Sequence, residues 1–162
     1  MIHTVPSKSA ILSHSGSPQS LAQAPPESAA SLDALFVELL NGYRRSGGLA
    51  RGSEVAVRAA QRRCDGTSWL ENCLERRMVI ALDWHSGLWL PLFQFDRRDM
   101  SLREEVRGPC AELSGIMDGW ELALWFIRPQ CLLHHCSPLE LLDSQPAVVL
   151  DAARREHFLQ CA

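Results

Sequence analysis

Three prolines divide residues 120–158, and their spacing constrains the fold of the chain more than any other feature. Proline has no backbone N–H and a fixed φ, so it is disfavoured inside a helix but suits the first helical turn. Pro129, Pro138 and Pro146 leave intervals of only a few turns. The sequence therefore predicts three short helices, the first ending at Pro129 and the others beginning at Pro138 and Pro146.

Two of these helices are expected to begin with a capping box, in which a polar side chain and a glutamate three residues later satisfy free backbone N–H groups. Asp118 with Glu121 has this spacing before the first helix, and Ser137 with Glu140 has it before the second. The first helix then carries apolar residues at i, i+3, i+4 and i+7, namely Trp120, Ala123, Leu124 and Ile127. This spacing predicts one buried face.

The third helix has a similar stripe, which ends close to the last residues of the chain. Its members are Val149, Leu150, Ala153 and His157. Arg154 and Arg155 lie off the stripe, so we expect them on the opposite, solvent-facing side of the helix.

The order of motifs in this stretch resembles the toxin-binding domain of Xre/MbcA/ParS-type antitoxins. The matching positions are Trp125-Phe126, Pro129, Leu133, Pro138-Leu139, Leu141-Leu142, Val149 and Ala152-Ala153-Arg154, and they cover about a quarter of the chain. One segment departs from the family pattern: Gln130 to Cys136 stand where that family often has Asn-x-x-Leu-x-Gly before the Pro-Leu pair. A tight turn that would favour glycine must here be made by bulkier residues.

The resemblance implies an antitoxin-like protein that binds and neutralises a cognate protein toxin, commonly a RES-type enzyme, through its C-terminal domain. In that family the extreme C-terminal segment reaches into the active cleft of the toxin. The partner-binding residues implied here are Arg154, Arg155, His157 and Phe158. Antitoxins of this kind often repress their own operon, so operator DNA is a second expected partner.

The region before this domain has the outline of a helix-turn-helix. Residues 53–63 and 68–77 each begin with a capping serine and are joined by a turn containing glycine. One interpretation places Ser68, Glu71, Asn72 and Glu75 towards a DNA groove and places Arg62, Arg63, Arg76 and Arg77 on phosphates. The alternative is two ordinary packed helices with solvated arginines, and acids at two reading positions favour it because they would repel phosphate.

Residues 78–95 change to strand-like composition. Two apolar runs flank His85-Ser86-Gly87, which predicts a β-hairpin whose second strand is an edge or ends at Pro91. A hairpin after a helix-turn-helix would form a small wing. The segment Pro91-Leu92-Phe93-Gln94-Phe95 also resembles a Pro-x-Phe-Gln-Phe segment that precedes the toxin-binding domain in many antitoxin-like proteins.

The flanks of these regions complete the expected organisation. Residues 1–30 are rich in Ser, Pro, Ala and Gln and predict a disordered tail. Ser31 is expected to cap an amphipathic helix that packs on the domain or on a second subunit, so we expect a homo-oligomer. Ser101 with Glu104 predicts a further capped helix, with a kink or break near Gly108-Pro109.

Together these patterns predict a mainly α protein of short helices with one wing-like β-hairpin. The expected divisions are a tail at 1–30, a helix-turn-helix-like region with the hairpin at 31–100, and a helical toxin-binding domain at 101–162. No run of eighteen apolar residues and no signal-like amino terminus occurs, so a cytoplasmic location without a membrane partner is expected. Between Arg44 and Arg77 eight arginines face four acids, whereas from Asp118 onward six acids face three arginines, which suggests two surfaces with different partners.

Neither an enzyme nor a cofactor is predicted. The residues that most resemble a metal site are Cys131, His134, His135 and Cys136, with His157 and Cys161 further on. This spacing is not that of a zinc site, in which ligands on alternate turns converge. A DNA-binding regulator without a toxin partner remains an alternative function, and a Cys/His metal protein is a weaker one.

Overall fold

Short helices and one β-hairpin dominate the computed structural model, which describes residues 27–63 and 66–161. The helices are α1 Glu27–Tyr43, α2 Gly52–Arg62, α3 Gly66–Glu75, α4 Glu104–Leu113, α5 Gly119–Ile127, α6 Pro138–Leu141 and α7 Pro146–Cys161. The strands are β1 Leu49–Arg51, β2 Leu82–Trp84 and β3 Gly87–Pro91. The expected mainly α fold with one hairpin is therefore confirmed.

The hairpin belongs to a three-stranded antiparallel sheet with the order β1-β3-β2. Leu82 pairs with Trp89 across the hairpin, and on the other side of β3 Leu49 pairs with Pro91, where the strand ends. The connecting residues His85 and Ser86 both have positive φ, at 45° and 57°, as two-residue hairpin turns require. The third strand, β1, was not expected.

The two capping boxes of the C-terminal region are present as predicted. Asp118 accepts a hydrogen bond of 2.8 Å from the Glu121 backbone N–H, and the Glu121 carboxylate accepts one of 2.9 Å from the Asp118 N–H. Ser137 and Glu140 make the equivalent pair at 3.3 and 2.8 Å. The prolines also act as expected, because α5 ends two residues before Pro129 and α6 and α7 begin at prolines.

The predicted serine caps of the other helices were wrong. Helix α2 has Arg51 as its N-cap instead of Ser53, and α4 has Arg103 instead of Ser101. The Ser101 N–H instead donates to Asp99 at 2.8 Å, within a turn that precedes α4. Helices α1 and α3 begin before Ser31 and Ser68, respectively. Of the expected disordered tail, residues 1–26 lie outside the described residues and residues 27–30 belong to α1.

Two hydrophobic clusters form the core, and their division differs from the expected domain boundary after residue 100. One cluster combines α1 and the hairpin region with α4, α5 and α7. Tyr43 of α1 is fully buried there, and its hydroxyl donates to the Ala123 carbonyl oxygen at 2.7 Å. The other cluster lies among α2, α3 and β3, around Val55, Leu70 and Leu90. Helix α1 therefore packs with the C-terminal helices.

The Phe93-Gln94-Phe95 segment joins the two clusters. Phe93 belongs to the first and Phe95 to the second. Gln94 between them has no exposed surface, and its side-chain oxygen accepts from the Ile80 N–H at 2.8 Å. Its amide nitrogen donates to the carbonyl oxygens of Ile80 and Pro91, both at 3.0 Å. This buried amide fixes the chain before the hairpin to the chain after it.

Helix α4 is the main support of α7. It runs without a break through Gly108 and Pro109, so the structure does not contain the break that the sequence allowed there. Pro109 is buried in the contact between the helices, and a Cβ on Gly108 would lie 3.0 Å from a methyl carbon of Leu150. Close packing against α7 therefore favours the small residue at this position.

Candidate functional site: the end of the C-terminal helix

The first half of α7 is anchored in the core. Val149 and Ala153 are fully buried, and Leu150 and His157 are partly covered, so the predicted inward stripe is confirmed. Ala152, which was not assigned to the stripe, is buried as well. These contacts fix the direction of the helix, because α7 packs along α4 and also contacts α6.

The second half of α7 carries large apolar side chains that the core does not cover. Phe158 is 72% exposed and Leu159 is 65% exposed. They lie one helical turn after Arg154 and Arg155, so these four side chains share one side of the helix. We call residues 154–161 the α7 tip. The resemblance implied Phe158, whereas Leu159 was missed; its position off the inward stripe of α7 was the available signal.

The four residues expected to bind a partner have different surroundings. Arg154 donates to Glu112 of α4 at 3.1 Å, and His157 lies 3.8 Å from the same carboxylate. Arg155 pairs with Asp151 one turn earlier at 2.9 Å, whereas Phe158 points into solvent. Exposed pairs of this kind contribute at most about 1 kcal/mol each. These ion pairs hold the guanidinium groups in place. A partner that breaks them loses little free energy.

The Cys/His loop forms a compact turn. The Gln130 N–H donates to the Cys136 carbonyl oxygen at 3.0 Å, and the His135 N–H donates to the Gln130 carbonyl oxygen at 3.0 Å. His134 and His135 have left-handed φ values of 53° and 64°, so they occupy the conformation for which glycine is preferred. Both imidazoles are exposed. Within residues 27–63 and 66–161, no three His, Cys, Asp or Glu side chains are grouped to hold a metal ion.

The helix-turn-helix outline is present in α2 and α3, which pack against each other. The four expected reading residues, Ser68, Glu71, Asn72 and Glu75, are all exposed on α3. The four expected phosphate contacts have different surroundings, and Arg62 lines a different concavity from Arg76 and Arg77. Arg62 donates to the Arg97 carbonyl oxygen, Arg63 lies over the Trp69 ring at 4.5 Å, and Arg76 and Arg77 follow the far end of α3. Cys64 and Asp65 of the intervening turn lie outside the described residues.

Thiol chemistry is suppressed where the core holds a cysteine. Burial raises the pKa of the Cys110 thiol to about 12, so this side chain is protonated at neutral pH and cannot act as a nucleophile. Cys73 is buried too, whereas Cys131 and Cys161 are exposed.

No family model, curated protein or solved structure matches this chain. Among the described helices, none has both the length and the apolar content needed to cross a membrane.

Proposed function

We propose that this chain is an antitoxin-like protein that binds and neutralises a cognate RES-type toxin through the α7 tip. The observation that carries the proposal is the contrast along α7. Its first half is held by buried Val149 and Ala153, while its second half exposes Phe158 and Leu159. An exposed aromatic beside arginines is the composition typical of interface residues that dominate binding energy.

The rigidity of the tip supports the same proposal. Helix α7 has 16 residues and is continuous from the core to Cys161. A partner groove could therefore receive a preformed helix, which lowers the entropic cost of ordering on binding. The antitoxin would act in the cytoplasm together with its toxin.

The test is co-expression and co-purification with the product of the neighbouring open reading frame, since such pairs are encoded side by side. We expect the double substitution Phe158→Ala and Leu159→Ala to weaken binding by at least about 2 kcal/mol, because it removes two exposed apolar side chains. Growth of the co-expressing cells should fall accordingly. A matched control replaces exposed Val57 on α2 and should leave binding unchanged. Equal binding by the double variant and the control would contradict the proposal.

Operator binding through α2 and α3 is the second candidate, with or without a toxin partner. The observation in its favour is the packed helix pair followed by the β2–β3 hairpin, as in a winged helix-turn-helix. The exposed acids Glu71 and Glu75 on α3 weigh against it, because phosphate would be repelled there.

A homo-oligomer remains a prediction; the exposed Leu32, Val37 and Leu40 on α1 are the residues available for such a contact.

A further inference from the structure

Two adjoining concavities lie between α2, the turn before β1 and the loop after β3. Their volumes are about 530 and 610 Å³, and they share Leu92, Phe95 and Arg97 in their walls. Arg58 and Arg62 line the first, and Arg45 and Arg98 line the second. We call the combined feature, with these five arginines, the arginine groove.

Packing of the backbone brings these distant arginines together. Arg58 and Arg62 are one turn apart on α2, so their side chains are neighbours on one face. The buried Phe95 fixes the loop that carries Arg97. Gly47 turns the chain with φ 112°, and a Cβ there would lie 3.2 Å from the Leu92 Cβ and 3.8 Å from Arg97 Nη2. The absence of a side chain at Gly47 keeps this wall open beside the Arg97 guanidinium.

The positive charge of the groove is only partly offset by carboxylates of the protein. Three arginines and no acid line the first concavity. In the second, Asp143 pairs with Arg103, and the Asp96 carboxylate accepts from the backbone N–H of Arg98 at 2.7 Å. Across the part of the chain that the structure describes, no carboxylate forms an ion pair with Arg45, Arg58 or Arg97.

Several arginines outside the groove are paired with carboxylates. Arg107, Arg128, Arg154 and Arg155 each lie within 3.1 Å of a carboxylate oxygen. Clustered cations that lack such partners repel one another and attract anions from solution. The groove is therefore a surface at which an anionic ligand would gain free energy from the field of this protein.

We propose that the arginine groove binds phosphate groups, supplied either by a nucleic-acid backbone or by a free phosphoanion. The planar guanidinium fork matches phosphate oxygens in bidentate geometry, which favours phosphate over a single point charge. Each concavity has the volume of an ordinary small-ligand site. This inference is independent of the proposed toxin partner. It places phosphate contacts on a different surface from Arg76 and Arg77.

The experiment measures binding of a fluorescein-labelled 20-base-pair DNA duplex by anisotropy and of tripolyphosphate by calorimetry, both at low salt. The test variant is Arg58→Ala with Arg97→Ala, and the matched control is Arg76→Ala with Arg77→Ala, which removes the same charge. We expect the test variant to weaken binding about tenfold or more and to reduce the salt slope for the duplex by about two. The control should change affinity less than about twofold.

Competition between the two ligands identifies the source of the phosphate. Binding of the duplex that millimolar tripolyphosphate does not displace indicates a nucleic-acid backbone, whereas direct binding of tripolyphosphate with displacement of the duplex indicates a free phosphoanion. Absence of binding to both ligands, or equal loss in the control, overturns the proposal. So does equal binding of a polyglutamate peptide, which would show attraction to any polyanion. Circular dichroism of each variant checks its fold, and Arg58 and Arg97 are exposed.

Discussion

A single buried amide, Gln94, links the hairpin to both parts of the core. Its side chain has no exposed surface and makes three hydrogen bonds to backbone groups. Replacing Gln94 with Ala leaves the Ile80 N–H and two carbonyl oxygens without these partners, so we expect unfolding to become easier by about 2–4 kcal/mol. Urea denaturation measures the loss. Gln160→Ala is the control, because Gln160 is exposed and its amide donates to the side chain of Glu156 one turn earlier on the same helix.

A fall of less than about 1 kcal/mol in Gln94→Ala would mean that water replaces the side chain without penalty. The sequence indicated the importance of this position only through the resemblance of the Pro-x-Phe-Gln-Phe segment. A glutamine between two phenylalanines has no pattern of its own that predicts burial, because its partners at Ile80 are distant along the chain.

The buried Cys110 thiol makes the free energy of unfolding depend on pH in the alkaline range. Its pKa is raised by burial to about 12 from a usual value of 9.0. Above pH 9 the unfolded chain releases this proton while the folded chain retains it, so the free energy of unfolding falls as pH rises towards 12. We expect Cys110→Ala to reduce this fall, as measured by urea denaturation at pH 7.5 and at pH 10.

Two features make this measurement specific. Burial also raises the pKa of Tyr43, and the neighbouring Cys110 raises it further, so the difference between the natural chain and the variant reports on Cys110 together with its effect on Tyr43. Exposed Cys131 provides the control, and Cys131→Ser should leave the pH dependence unchanged. An identical pH dependence for the natural chain and Cys110→Ala would contradict the expected protonation of this thiol.

At the scale of helices, the capping boxes separate real helix starts from sequence patterns that only look similar. Ser137 caps α6, whereas Ser53 lies inside α2 and makes no cap. We therefore expect Ser137→Ala to cost about 1–2 kcal/mol and Ser53→Ala to cost less than about 0.5 kcal/mol, by chemical denaturation. Equal costs would show that the Ser137 cap adds nothing to the stability of the protein.

The sequence predicted the starts of α5, α6 and α7 correctly and the starts of the other helices poorly. Pro138 and Pro146 restrict the backbone by themselves, so the starts of α6 and α7 were placed correctly. Ser101 and Ser53 had no such support, and neighbouring backbone took their places at the helix ends. Strand β1 was missed because three residues are too few for an alternating pattern. Its formation depends on pairing with β3.

At the scale of the whole molecule, only part of the candidate site could be predicted from the sequence. The inward stripe of α7 follows from helical spacing, and the exposure of Phe158 follows from its position off that stripe. The contacts of Arg154 and His157 with Glu112 could not be predicted, since they require knowledge that α7 packs along α4. The arginine groove was missed for the same reason: Arg58 and Arg97 are brought together only by the tertiary fold.

The proposed separation between folding and neutralisation can be tested by removing the α7 tip. Deletion of residues 154–162 spares buried Val149 and Ala153. It removes the partly covered His157 and ion pairs worth at most about 1 kcal/mol each, so the shortened chain should remain folded. It should no longer protect cells that express the neighbouring gene product. By contrast, Trp125→Ala removes a buried aromatic and should cost about 3–5 kcal/mol, which loses protection through unfolding.

Two readouts distinguish these outcomes: growth during co-expression, and the thermal unfolding of the purified chain. Loss of growth with a retained unfolding transition is expected for the deletion, and loss of both is expected for Trp125→Ala. Because α7 is anchored before residue 154 and the large apolar side chains lie after it, the deletion removes the proposed contact surface and little of the core. Full protection by the folded, shortened chain would assign neutralisation to another surface of the molecule.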